Sequence, residues 1–293
     1  MGHDDVLLAG VRVVSIAINL PGPAAARRLA RLGAEVTKVE PPTGDQMELL
    51  SASYYRELCE GQRIVRLDLK SEQGRAELWQ LLEGADLFLT SNRPSALARL
   101  GLDWESVHAR LPKLSQVAIV GYPGDRAEVA GHDLTYQASV GTLQPPNMPR
   151  VLLADLTSAE RAVGDALAAV LSASRTGVGS YREVALSSLA EMMGDPARHG
   201  LTTSDGILGG SLPQYAMYPA ADGHVVLAAL EPHFWARTRE QLGIEGTREE
   251  LTAIFATRGA EEWEAWGAEH DIPLAAVRGW PRPVDQRLGS AHG

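Results

Sequence analysis

The chain is poor in cysteine. Cys59 is its single thiol in 293 residues. An internal disulfide is therefore impossible, and metal sites built on several cysteines are excluded. Aromatic residues make up only 5%, so the core is expected to rest on Ala, Val and Leu. Positive charge is in deficit, with 27 Lys and Arg against 37 Asp and Glu and a net charge of −10. A nucleic-acid binder would normally show a basic stripe, so no nucleic-acid partner is expected. An anionic small ligand stays open, because a local Arg cluster can hold phosphate on an acidic protein. No apolar run approaches the ~18 residues of a membrane span. The acidic start, Met1-Gly2-His3-Asp4-Asp5, lacks the apolar stretch of a signal peptide. The expectation is a soluble cytoplasmic protein without membrane association.

Hydrophobic residues at 45% and charged residues at 22% are ordinary globular composition. The length predicts one large domain and a smaller one. Val11–Ile16 reads as a buried strand, Ala24–Leu32 as a helix capped by Gly33, and Glu35–Val39 as a second strand. Strand, helix and strand within about 30 residues make a βαβ unit with a right-handed crossover. The alternation continues through Arg63–Leu69, Ser71–Glu83, Leu87–Leu89, Pro94–Leu100, Asp103–Leu111 and Gln116–Val120. It predicts an α/β fold: an open, mostly parallel sheet with helices on both faces, Rossmann-like. A loop from Gly121 to Pro149 follows, with some helix around Asp133–Ser139. Thr157 to Ser172 reads as an amphipathic helix, with Thr157 and Glu160 as its capping box. The character changes near Asp195. Residues 1–199 are expected to form the large domain and 200–272 a smaller α+β domain, with 273–293 returning to the large one.

Several familiar motifs are missing. There is no G-x-G-x-x-G after the first strand, no P-loop and no G-x-S-x-G elbow. A standard NAD site, an NTPase site and a serine hydrolase are not expected, and Ser211 reads as a loop residue. The eight histidines form no helical H-x-x-x-H pair, so no metal is expected. Three residues remain. His132, in Gly131-His132-Asp133, lies in the long loop beyond a sheet strand, on the edge where open α/β sheets bind ligands. Asp155 stands between the apolar run Val151–Ala154 and the helix after it, where the helix dipole favours a carboxylate. Glu231-Pro232 follows the strand Val225–Leu230; from the pattern alone it marks only a strand end and a helix start.

These segments, with others, carry a resemblance. Leu20-Pro21-Gly22-Pro23 and Leu32 to Glu40, Leu67-Asp68-Leu69-Lys70, Arg93-Pro94 with Arg99-Leu100-Gly101-Leu102, Gly131 to Tyr136, Leu153-Ala154-Asp155, and Tyr218 to Pro232 occur in one order over nearly the whole length. Together they resemble the class III CoA-transferases (the CaiB/BaiF group) and their relatives, the α-methylacyl-CoA racemases. The resemblance implies coenzyme A, carried as an acyl-CoA substrate, as the ligand of the large domain. It also implies an interlinked homodimer in which both chains build each site.

In the transferases the carboxylate at Asp155 would be the nucleophile on the thioester, passing through an enzyme–CoA thioester. In the racemases Asp155 and His132 would be paired acid/base groups on two faces of the α-carbon, with Glu231 supporting His132. Transferases typically carry an aromatic residue where His132 stands, which favours the racemase branch. A CoA-transferase is the alternative, and a non-catalytic CoA-binding homologue a second. Lys38, Arg93 and Arg99 are expected to supply positive charge for the phosphates and adenine end of CoA. The chain departs from the family pattern in several places, among them a short Gly121–His132 loop and a short His132–Asp155 interval. Leu156-Thr157-Ser158 replaces a Gly-rich run, Asn92 replaces an aromatic before Arg93, and the C-terminal part is short where the family returns to the large domain to close its ring.

Overall fold

The computed structural model describes residues 7–279. The chain divides into two compact units, Met1–Gly194 and Asp195–Gly293.

The first unit is built on six parallel strands: β1 (Arg12–Ser15), β2 (Glu35–Glu40), β3 (Arg63–Arg66), β4 (Leu87–Thr90), β5 (Ser115–Val120) and β6 (Tyr181–Ala185). Their order is β3-β2-β1-β4-β5-β6, the doubly wound arrangement the alternation predicts. Central β4 and β5 are buried along their whole length, as strands covered on both faces must be. The connecting helices are α1 (Pro21–Arg31), α2 (Gln46–Leu50), α3 (Ala52–Leu58), α4 (Glu72–Glu83), α5 (Pro94–Leu100), α6 (Trp104–Arg110), α7 (Asp133–Ser139) and α8 (Leu153–Thr176), with α9 (Leu186–Arg198) after β6. Small side chains let α8 lie close. Ala154, Ala159, Ala162, Ala166 and Val163 share one buried cluster with Ala25, Ala26 and Leu29 of α1.

The sheet order reverses between β1 and β4. Chain leaving β1 goes one way and chain leaving β4 the other, which opens a crevice at the strands' carboxyl ends. The two loops are tied there. Ile18 N–H donates to Ser91 Oγ at 3.0 Å, and Ser91 Oγ is 3.4 Å from Ile18 O. Asn19 follows with φ 69°, a left-handed conformation that Asn tolerates better than most residues.

One expected cap is absent. α8 starts at Leu153, a turn before Thr157, and the Thr157 hydroxyl donates back to Leu153 O at 2.6 Å instead of capping the helix. Asp155 thus sits inside the first turn. The helix extends upstream because the Asp155 N–H finds an acceptor far away in sequence, as described below.

The second unit holds an antiparallel sheet of β7 (Tyr215–Ala220), β8 (Gly223–Ala228) and β9 (Leu274–Ala276), in the order β7-β8-β9. Its helices are α10 (Pro232–Leu242), α11 (Arg248–Phe255) and α12 (Ala260–Glu269). The scarce aromatics gather here: Phe255 meets Trp263 edge-on at 5.1 Å and Tyr218 lies 5.2 Å from Phe255. The expectation of an Ala/Val/Leu core therefore fits the first unit and not the second. Residues 274–276, expected to return to the large domain, pair with β8 instead. The rest of that expected return, from 280 on, lies outside the described residues.

Candidate active site

The crevice beside the β1–β4 reversal is lined by Ile18, Asn19, Ser91, Arg93, Gly121, Gly131, His132, Tyr136, Asp155 and Leu186. All belong to the first unit. They come from the loops after β1, β4 and β5, from the start of α7, and from the first turns of α8 and α9. His132 and Asp155, 23 positions apart, thus share one cleft.

Asp155 is partly buried, and its carboxyl is pushed up to about 6. Burial is the main cause, and the charge of Asp133 is the second. Both outweigh the helix N-terminus, which would lower it. A carboxyl tuned this way exchanges a proton near neutral pH. Asp133 is itself buried. Its Oδ1 accepts the Asp155 N–H at 3.1 Å, and its Oδ2 accepts Gln137 Nε2 at 2.5 Å. His132 caps α7 and is exposed. Its backbone N–H donates to Thr135 Oγ1 at 3.0 Å, which fixes the backbone and leaves the ring to the cleft. Tyr136, 1% exposed, stands behind it. Burial, then Tyr122 and Asp155, pushes its phenol up to about 12, so it stays neutral.

A second cleft opens on the other side of the reversal, over the ends of β2 and β3. Its polar lining includes Glu40, Asp68, Lys70, Arg75, Asn92 and Arg99. Arg75 is committed to the carbonyls of Leu69 and Lys70, at 3.2 and 2.9 Å. Arg93 and Arg99 stand at the two ends of α5 and are exposed. Glu128 lies near both. The Ser95 N–H above all, then the Ser95 hydroxyl and the charges of Arg93 and Arg99, hold its carboxyl below the usual range.

Lys38 is not brought to either cleft. Its ammonium is fully buried and lies 2.7 Å from both Glu40 Oε1 and Asp45 Oδ2, over the Tyr55 ring at 4.9 Å. All its charge is taken up inside the unit. This corrects the expectation of a CoA contact: alternation along β2 turns Lys38 to the α2–α3 side of the strand, where two acids await it. Glu231 opens α10 in the second unit, exposed and without a side-chain cap bond. The residues the sequence did not single out are Ser91, Asp133, Tyr136 and Gln137. Only Asp133 and Gln137 leave a signal, an i, i+4 acid–amide pair on one helix face. Among the described residues no three His, Cys, Asp or Glu side chains gather as a metal site, and no helix is long and apolar enough to cross a membrane.

The chain as a whole is similar to known proteins. The profile of CoA-transferase family III matches residues 8–290, and the chain belongs to that family. It is 32% identical over 266 residues to the succinate–glutarate CoA-transferase of Agrobacterium fabrum, covering 81% of this chain and 66% of that protein. It is 29% identical over 291 residues to the α-methylacyl-CoA racemase of Mus musculus, covering 88% of this chain and 74% of that protein. A solved hypothetical protein of Mycobacterium tuberculosis superposes with a TM-score of 0.79 at 27% identity, over 93% of this chain and 85% of that one. The chain thus spans about two thirds of the A. fabrum enzyme and rather more of the others. The family's enzymes include transferases and racemases, and both act on CoA thioesters.

Proposed function

We propose that the Asp155 cleft moves a proton on the carbon next to an acyl-CoA thioester, inverting it as an α-methylacyl-CoA racemase does. What supports this reading above all is that His132 and Asp155 line the same cleft. A proton α to a thioester is only weakly acidic. Inversion needs a base on one face and an acid on the other, able to swap roles. In one direction the Asp155 carboxylate takes the α-proton and the His132 imidazolium gives one to the opposite face of the planar enolate. In the other direction the roles reverse. Histidine changes charge around neutral pH, and Asp155 is shifted towards the same range.

CoA would lie across the sheet edge, its phosphates and adenine end drawn by Arg93 and Arg99. The resemblance adds an interlinked homodimer and a supporting role for Glu231. The test is solvent deuterium exchange at the α-carbon of a 2-methylacyl-CoA. Exchange is expected with the native protein and is lost in His132→Ala, while Glu231→Gln lowers it.

A second reading has a specific observation in its favour: the relative at 32% identity is named a CoA-transferase. Here the Asp155 carboxylate attacks the thioester carbon and CoA leaves as the thiolate. The thiolate then attacks the Asp155 carbonyl of the resulting anhydride and expels the acyl group as a free carboxylate, leaving an enzyme–CoA thioester at Asp155. Intact-protein mass after mixing with a panel of acyl-CoAs detects that adduct, and hydroxylamine cleaves it. A mass gain of CoA that survives His132→Ala and disappears in Asp155→Ala decides for the transferase. CoA affinity with neither exchange nor adduct leaves a binding protein.

A further inference from the structure

Among the described residues the buried carboxylates are Glu40, Asp45 and Asp133. The first two share the ammonium of Lys38. Asp133 is treated differently. It is 4% exposed, and its hydrogen-bond partners are an amide and a backbone N–H, not a cation. The group beside it is a second carboxyl, Asp155.

The hydrogen bonds give Asp133 a mechanical role. The N-cap position of α8 is Leu152, which has no side-chain acceptor to offer. The first turn of a helix leaves its N–H groups without partners. Asp133 Oδ1 takes the N–H of Asp155 across 22 positions at 3.1 Å. Gln137 Nε2 bridges Asp133 Oδ2, at 2.5 Å, and Val151 O, at 3.0 Å. Chain on both sides of the α8 start is thereby tied to α7. An Asn at 133 would accept the same N–H without charge. An acid there sets two carboxyls against each other in a partly desolvated cleft.

We infer that Asp133 is a positioning residue for Asp155: its carboxylate clamps the first turn of α8 and holds a second negative charge beside the reacting carboxyl. This rests on the reading of Asp155 as the group that meets the thioester. A like charge in low dielectric makes the neighbouring carboxyl keep its proton to higher pH. The upward shift of Asp155 has this cause second to burial. The other charged or titratable groups lining the cleft are His132, Tyr136 and Arg93. Arg93 and a protonated His132 act in the opposite sense, and Tyr136 is neutral. The adjoining elements offer no charge there: α1 presents Pro21, the end of β5 Gly121, and α9 Leu186. Among the described residues, Asp133, behind the cleft lining, is the charge that makes Asp155 more basic.

The experiment titrates the Asp155 carboxyl carbon by NMR in aspartate-labelled protein without substrate, the resonance assigned with Asp155→Asn. Asp133→Asn keeps an acceptor for the Asp155 N–H and removes the charge. It is expected to lower the Asp155 midpoint by about one pH unit, a roughly tenfold weaker hold on the proton. With a 2-methylacyl-CoA as substrate, the acid limb of kcat/KM moves down by the same amount, and KM changes less than about threefold. A folded Asp133→Asn whose Asp155 midpoint does not move overturns the proposal, whatever its activity. Should that variant not fold, the wild-type titration decides. An Asp155 midpoint below about 4.5 in the wild-type protein overturns the proposal. The carbon titration needs no turnover. A protein that shows the shift yet neither exchanges an α-proton nor forms a CoA adduct keeps this role for Asp133 and loses the reading of its reaction.

Discussion

Lys38 Nζ lies 2.7 Å from Asp45 Oδ2, and both side chains are wholly buried. Glu40 Oε1 is 2.7 Å from the same ammonium and also accepts the Tyr55 hydroxyl at 2.8 Å. Burial pulls the Lys38 pKa down, and the hydrogen bonds to Asp45 and Glu40 more than reverse this, so it stands above its ordinary value. Lys38→Ala leaves buried Asp45 without a counter-charge and buried Glu40 with only Arg66, 3.8 Å away. It is expected to destabilise the protein by about 3–5 kcal/mol, read as a lower urea midpoint with an unchanged slope. A Lys38→Ala protein of native stability that binds CoA poorly would return Lys38 to the ligand site.

Asp155 carries a stability consequence of opposite kind. Its carboxyl sits at about 6 in the folded protein against an ordinary 3.8. Between these values the folded state binds more protons than the unfolded chain. Its contribution to stability is therefore fully present below about pH 4 and is lost as pH rises through about 6. Because Asp155 is partly exposed, the loss is taken as on the order of 2 kcal/mol rather than the full shift. Asp155→Asn should therefore raise the Tm near pH 7.5 while abolishing turnover, and should bring little gain near pH 4. A variant stabilised equally at both pH values would mean that charge is not the reason.

Once Lys38 is removed, Arg93 and Arg99 are the two of the three expected cations that we still propose for CoA. A charge-assisted hydrogen bond is typically worth about 1.5–3 kcal/mol, so Arg93→Ala should weaken CoA binding roughly tenfold or more. Arg93→Lys should restore only part of it, because an ammonium lacks the two-pronged fork. Calorimetric titration at low and high salt reads both effects, and the deficit should shrink at high salt. Unchanged affinity in a folded Arg93→Ala takes Arg93 out of the site.

The sheet of the first unit is legible in the sequence because its strands are short β-branched runs separated by capped helices. The β1–α1–β2 unit alone states the handedness and the parallel pairing. Asp155 and His132 are legible as positions, at element boundaries on the ligand edge. What surrounds them is not. The bond from Asp155 N–H to Asp133 crosses 22 positions, and no local pattern announces it; for the same reason the pattern puts the start of α8 a turn too late. Lys38 misleads because a lone lysine on a strand reads alike whether it meets phosphate or two acids seven or fewer residues away. β7 escapes notice because Pro219 interrupts it and its register is set by β8.

Tyr136 supplies the last test of the cleft, through two glycines. The ring is 1% exposed and meets Tyr122 edge-on at 5.3 Å. A Cβ at Gly121 would fall 2.5 Å from Tyr136 Oη. A Cβ at Gly131 would fall 2.5 Å from Oη and 2.6 Å from Cε1. Neither glycine has a left-handed φ, so room for the ring, not backbone freedom, requires them. Each Gly→Ala change pushes Tyr136 towards the cleft and should destabilise by about 1–3 kcal/mol, with loss of activity. Both strike Oη, and only the Gly131 change also strikes the ring carbons. Tyr136→Phe removes Oη alone, so it should rescue Gly121→Ala and leave Gly131→Ala impaired through Cε1. Double-mutant cycles on thermal stability measure this directly. Coupling of at least ~1 kcal/mol is expected for the Gly121 pair and clearly less for the Gly131 pair. Equal coupling in both cycles would mean that the ring yields as a whole and that the hydroxyl is not the contact that matters.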